Sequence, residues 1–429
     1  MRLSCPGLTA ALLAAAAIGL TAQAEPRPLP AAPVRVALYA AVGAALTHYG
    51  VDLDRSTLLA RGATTLPANV QEAALHPSRR HLYVGWSTIG ASYGDVGAAP
   101  AAPRHGVTAF RVDPASGALT PAGDAVSLPA RPIHLTTDTT GSHLLTAYNN
   151  PSGVTVHRIR SDGTIGDLVA QPYPLDGGIY GHHVRVFPSN RAVVLVTRGN
   201  APTGSTPEDP GALKVFGYAD GVLGNRASIA PGGGYGFQAR HLDFHPSRPW
   251  AFVTLERQNA MSVFRVTDDS LGPAPLFSKT TLADPGRIRP GQTTSTIHVH
   301  PSGRFVYVGN RASATTEVQG ARVSAGGENT IAVFQINQET GEPALIQTMD
   351  TRGFHPRTFA LDRGGRLLVA GNLTPLSVRD RNGVRNVAAS LSVFRIRPDG
   401  TLEFARQYPV DADPASGRLL FWMGIASIG

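Results

Sequence analysis

The sequence predicts an all-β fold, a seven-bladed β-propeller of four-stranded antiparallel blades closed by N- and C-terminal strands that share one blade. Three observations carry that expectation. A single framework of strand, turn and strand recurs six times along the 429 residues, as in "ARHLDFHPSRPWAFVTLER" from Ala239 and "TIHVHPSGRFVYVGNR" from Thr296. Only 16% of residues are charged while Gly (47) and Pro (34) abound, a mixture that suits many short strands joined by tight turns. The two ends of the chain supply the complementary fragments of one further unit.

Taken in order, the first strands of the six complete blades end in turns at "LHPSRR" (Leu75), "TDTTGS" (Thr137), "VFPSNR" (Val186), "FHPSRP" (Phe244), "VHPSGR" (Val299) and "LDRGGR" (Leu361). A second strand follows each turn, then a connection of variable length. The third strands read "GVTAFRVD", "GVTVHRIR", "ALKVFGYA", "MSVFRVTD", "TIAVFQIN" and "LSVFRIRP", and turns such as "DPASGALT" and "RPDGTLE" lead to the fourth. Short apolar runs broken by Gly, Pro and Asp mark antiparallel strands. Four of them per roughly 45–60 residues is the signature of a propeller blade. Residues 34–66 hold "VRVALYAAVG", "LTHYGVDLD" and "STLLARGATTL", which fit second, third and fourth strands lacking a first. The segment "PASGRLLFWMG" near the C-terminus fits the missing first strand. Joining them makes a seventh blade and removes free sheet edges.

The N-terminus reads as a signal peptide over residues 1–24, with Arg2, the apolar run "LTAALLAAAAIGL" and a small-residue site ending at Ala24. Residues 25–429 then form one propeller domain, expected in the periplasm or outside the cell as a monomer. The apolar run is too short for a membrane span, so no membrane insertion is expected. Cys5 is the only cysteine and is removed with the peptide, leaving no disulfide, thiol nucleophile or thiolate metal site in the mature chain. The net charge of +8 is carried almost wholly by arginine, without a basic run or nucleic-acid motif, so no nucleic-acid partner is expected. His76, His245 and His300 recur at one turn position and read as turn residues. The neighbouring pairs His241 with His245 and His298 with His300 are therefore not taken as metal ligands.

Aligned on that turn, the blades differ at two places. One is the start of the innermost strand: Gln71-Glu72, Ile133-His134, His182-His183, Arg240-His241, Ser295-Thr296 and Arg357-Thr358. The other is the end of the second strand: Ser87, Asn149, Arg198, Glu256, Arg311 and Leu373. In an antiparallel hairpin these places adjoin, so both face one rim of the central channel. The shared middle builds the blade, and the unshared ends furnish a pocket. Four arginines aimed into one mouth with Glu256 as the carboxylate among the strand ends call for an anionic ligand, bound through charge-assisted hydrogen bonds. Long connections after the second strands of blades one, three, five and six emerge at that rim and suit binding specificity.

The segments "GHHVRVFPSNR", "ARHLDFHPSRPWAFVTLERQNAMSVFRV", "STIHVHPSGRFVYVGNRAS" and "HPRTFALDRGGRLLVAGN" resemble the seven-bladed propeller lactonases, the family of bacterial 6-phosphogluconolactonases and fungal carboxy-cis,cis-muconate cyclases. The resemblance implies an active site of a His, an Arg, a Glu and a further Arg, which fall here on His182 or His183, Arg240, Glu256 and Arg311; His298 matches as well. It implies no metal and no organic cofactor. The segment "TRGN" with Arg198, the long rim loops and the export signal depart from the family pattern.

The expectation is thus a metal-independent hydrolase of a small anionic sugar-acid or organic-acid lactone. Glu256, His182, His183, Arg240 and Arg311 are its catalytic candidates. Arg198, His241, His298, Arg357, Asn149 and His134 are its substrate-binding candidates. The alternatives are a lactone-forming cyclase, or a secreted propeller that binds a ligand or partner at its decorated rim without catalysis. A quinone- or calcium-dependent dehydrogenase lacks the ligand clusters it would need.

Overall fold

A computed structural model describes residues 35–90 and 102–428. The expected signal peptide and part of the long loop of blade one lie outside the described residues. The chain forms seven blades, each led by an innermost strand. Blade four shows the pattern: Ala239–Phe244 pairs with Trp250–Leu255, which pairs with Ala260–Thr267, which is joined by Ser270–Leu271 and Phe277–Thr280. Each innermost strand touches the next around the ring.

The ends close that ring as the sequence implies. Leu420–Ile428 is the innermost strand of blade seven and pairs antiparallel with Arg35–Val42, for example Ala37↔Ala426 and Ala40↔Met423. It starts later than "PASGRLLFWMG" suggested. Pro414–Ser416 is a single 3-10 turn whose N-cap Asp413 accepts from the Ala415 N–H, so the chain is still turning where a strand was expected.

Among the described residues the apolar core is divided into clusters between adjacent blades. One joins blades three and four through Phe187, Leu213, Phe244 and Phe264; another joins blades five and six through Tyr307, Phe359 and Phe394. Each sheet is therefore covered on both faces. This is why second strands such as Ala192–Thr197 are buried along their whole length instead of alternating.

Polar staples cross the same seams. The hydroxyls of Tyr39, Tyr83 and Tyr307 donate to the carbonyls of Gly117 (2.6 Å), Gly163 (3.0 Å) and Gly400 (2.9 Å), each in the turn before the fourth strand of the next blade. His76, His245 and His300 do the same at the first turn. Their Nδ1 atoms accept from the Ser78, Ser247 and Ser302 N–H groups, and their Nε2 atoms donate to the carbonyls of Gly141, Gly303 and Gly365 on the following blade. Gly365 has φ +67°, and a Cβ there would meet His300 Nε2 at 2.1 Å. These histidines are turn residues.

The long connections of blades five and six hold a feature the sequence did not suggest. Hairpins Thr315–Val318 with Ala321–Ser324, and Leu376–Asp380 with Gly383–Val387, join through Val323↔Ser377 into a four-stranded accessory sheet. Its strands are short and largely exposed, so they lack the apolar signal by which the blade strands are read. No helix of the described residues is long and apolar enough to cross a membrane.

Candidate functional site

All seven innermost strands share an irregularity at their start, that of blade seven lying between Leu420 and Trp422. In blade four Ala239 faces Leu255 and Leu242 faces Val253, so one residue more is spent on the inner strand than on its partner. The same slip occurs at Val70/Glu72, Gly181/His183, Thr294/Ile297 and Pro356/Thr358, and beside His134 in blade two. Such bulges re-aim side chains. Here they fall on the variable residue pairs at the starts of the innermost strands, and both residues of each pair are put to use.

The first residue of each pair lies against the blade tops and is buried, as with His182, Arg240 and Arg357. Arg240 is 1% exposed, and its Nε lies 3.9 Å from Glu256 Oε1. Glu256 Oε2 accepts from Arg198 Nη1 at 3.1 Å, and Oε1 accepts from Arg311 Nη2. Arg311 is held further by Thr293 Oγ1 at 3.2 Å and by His355 Nε2 at 3.1 Å; Arg198 lies 4.0 Å above the Tyr180 ring. Burial alone would raise the Glu256 pKa, but Arg311, Arg198 and Arg240 outweigh it and pull it down to about 2. Held by three guanidiniums, Glu256 stays ionised near neutral pH and anchors the arginines.

Arg240 is the member whose donors are least used, although its charge is paired with Glu256. Its Nε and Nη1 have no hydrogen-bond partner among the described residues. His182 beside it is buried, its Nδ1 is also without a partner, and burial followed by the Arg240 charge holds its pKa well below the usual 6.5.

The second residue of each pair faces the channel. Glu72, His134, His183, His241, Thr296 and Thr358 line a cavity of about 450 Å³ together with Tyr39, Trp422 and Arg357. The His134 and His183 rings lie 3.9 Å apart, His183 and His241 stack at 4.5 Å, and His182 reaches His241 at 5.2 Å. Burial first, then neighbouring Arg or His groups, pushes all four histidine pKa values down, which keeps these rings neutral. Among the described residues no three His, Cys, Asp or Glu side chains gather in a geometry able to hold a metal ion.

The remaining candidates are distributed differently. Arg357 lines the cavity, but its Nη1 donates to the Phe421 carbonyl at 2.9 Å and its guanidinium covers the Phe421 ring at 3.6 Å, tying blade six to the C-terminal strand. His298 also lines the cavity, with Nε2 on the Phe359 carbonyl (3.0 Å) and Nδ1 3.8 Å from Asp243, which Arg185 holds at 2.8 Å. Asn149 faces Ser152 across the bend of its own hairpin, and no hydrogen bond or ion pair joins it to the arginines among the described residues. Glu72 and His355 belong with the site and were not chosen from the sequence. Glu72 stands in the same alignment column as His134, His183 and His241, a signal that was legible. His355 sits in "FHPRTF" and resembles a turn His-Pro; only its contact with Arg311 reveals it.

A family model described as "Lactonase, 7-bladed beta-propeller" matches residues 34–379. A 6-phosphogluconolactonase of Bacillus subtilis is 30% identical over 282 residues, which cover 63% of this chain and 71% of that protein. One from Pectobacterium carotovorum is 29% identical over 308 residues, covering 71% and 78%. Among solved structures, a periplasmic gluconolactonase of Pseudomonas aeruginosa superposes with a TM-score of 0.66 at 19% identity, over 92% of this chain and 100% of that one. A likeness at that identity concerns the fold alone.

Proposed function

The chain belongs to the seven-bladed β-propeller lactonase family, and from that premise we propose that it is an exported hydrolase of small anionic sugar-acid or organic-acid lactones. One observation carries the reading. Three guanidiniums meet one carboxylate at the blade tops, and the most deeply buried of them, Arg240, keeps two donor atoms without a protein acceptor. Buried unpaired donors cost stability and persist where a ligand satisfies them. The substrate's carboxylate or phosphate meets Arg198 and Arg311, and Arg240 faces the carbonyl oxygen on which negative charge develops during attack. Neutral His182, with its unpartnered Nδ1, takes the proton of the attacking water. Glu256 holds the three arginines in register. The signal-peptide reading of residues 1–24 supports action outside the cytoplasm.

A panel of phosphorylated, carboxylated and neutral sugar lactones titrated in a pH-stat tests this, with Arg240→Met alongside. Turnover should favour the anionic or acid-derived members. The variant should lose about 10²–10³-fold in kcat/KM while its melting temperature holds or rises, because two buried donors without acceptors are gone. Absence of turnover across the panel, or a fully active Arg240→Met, would overturn the proposal and favour a non-catalytic binding propeller.

A further inference from the structure

We propose that Glu72 is the acid that protonates the departing ring oxygen of the lactone, working from the channel cavity while the arginine cluster holds the substrate. The inference rests on the lactonase reading above and adds to it a residue and a role.

Glu72 follows the bulge of blade one and is the only carboxyl among the six second-position residues that face the cavity. Other acids near the cavity are committed. Asp243 is held by Arg185 and by the Val299 N–H at 2.9 Å. Asp362 accepts from the Gly364, Arg366 and Leu367 N–H groups and builds its turn. Glu256 is tied to arginines. Among the described residues Glu72 accepts from its own neighbour, the Ala73 N–H at 3.2 Å, and from the Trp422 indole on the flanking blade-seven strand. His134 lines the cavity from the strand on its other flank. Arg357 and Arg240 act on it from across the channel, and Tyr39 and Tyr83, on strands that contact its own, turn their hydroxyls to glycine carbonyls instead. The carboxyl is thus half-buried, without a salt-bridge partner among the described residues, and on the wall of the cavity. Burial raises its pKa to about 7 against the pull of Arg357, so a proton is available on it at neutral pH while Glu256 has none to give.

The step balances without a further reactant. Water adds its oxygen to the carbonyl carbon as His182 accepts its proton. The bond from that carbon to the ring oxygen breaks, the electron pair stays on the oxygen, and Glu72 supplies the proton that makes it a hydroxyl. The proton on His182 returns through solvent to the Glu72 carboxylate, and the product is the open hydroxy acid.

The experiment compares wild type, Glu72→Gln and Glu72→Asp on the best-turned-over lactone and on its thiolactone, with kcat followed from pH 5 to 9. Wild-type kcat should fall as pH rises through about 7. Glu72→Gln should lose about 10²–10⁴-fold in kcat with little change in KM, show no such decline, and recover in part as Asp. The thiolactone, whose thiolate leaves without a proton, should be far less affected. Glu72→Gln should also gain heat stability relative to wild type as pH rises from 4.5 to about 7, and hold that gain above it, since in that window only the folded carboxyl keeps its proton. Equal losses on lactone and thiolactone, or a wild-type kcat with no limb between pH 6 and 8, would overturn the role for Glu72. Inactivity of the wild type on every lactone would remove the lactonase reading, and this proposal with it.

Discussion

Glu256 concentrates in one carboxylate the electrostatic balance of three blades. Arg198 comes from blade three, Arg240 from its own hairpin and Arg311 from blade five, and all three would be left facing one another without it. Replacing a charge in such a buried group strands its partners, at about 3–5 kcal/mol. Glu256→Gln is therefore expected to lower the melting temperature as well as activity. The pH dependence follows from a pKa depressed from 4.5 to about 2. The advantage of wild type over Glu256→Gln should be full above pH 4.5 and shrink as pH falls toward 2, because only the carboxylate stabilises the fold. Thermal unfolding of both proteins at pH 7, 5 and 3 measures it; a difference that does not change with pH would refute the clamp.

At the scale of elements, the inner hairpin does two separate jobs. Its regular part, from the bulge to the turn, supplies apolar side chains to the cores on either side. Its bulge places two successive residues, such as Arg240 and His241, above and inside the channel. One extra residue per blade separates the site from the framework, so the site can vary while the blades stay alike. The framework relies on seams as much as on sheets. Tyr83 is fully buried, and its hydroxyl joins blade one to the Gly163 turn of blade two. Tyr83→Phe should destabilise the protein by about 1–2 kcal/mol, since a buried carbonyl loses its donor, and leave lactone turnover unchanged. Urea unfolding and a pH-stat assay read the two effects; an unaltered midpoint would show that the seam does not depend on the staple.

The whole molecule is a ring whose last link is its last strand. Leu420–Ile428 pairs with Arg35–Val42 and also touches the innermost strands of blades six and one. Trp422 and Met423 enter separate inter-blade cores. Deleting residues 420–429 would expose both cores, at ~1.5–3 kcal/mol per large side chain, and open a sheet edge. The expected result is loss of cooperative folding throughout the molecule, seen as a much lower and broader melting transition or as insoluble protein. A truncated chain with the wild-type melting temperature would contradict closure by the ends.

The number of blades, their closure through both ends and the two columns of variable residues were legible in the sequence, because turn chemistry and strand patterning act over a few residues and repeat. The same columns named Arg240, His182, His183, His241 and Glu256 as site residues, and the structure gathers them. What Glu256 does was not legible, since its protonation depends on Arg198 and Arg311, 58 and 55 positions away. The column place of Glu72 was legible, but that it is a carboxyl of a shared cavity emerges only when the blades face one axis. The accessory sheet was hidden for a related reason: Val323 and Ser377 pair because blades five and six are neighbours, and nothing in either loop alone requires it. Local chemistry specified the blades, while the meeting of side chains across the closed ring decided charge, cavity and proton.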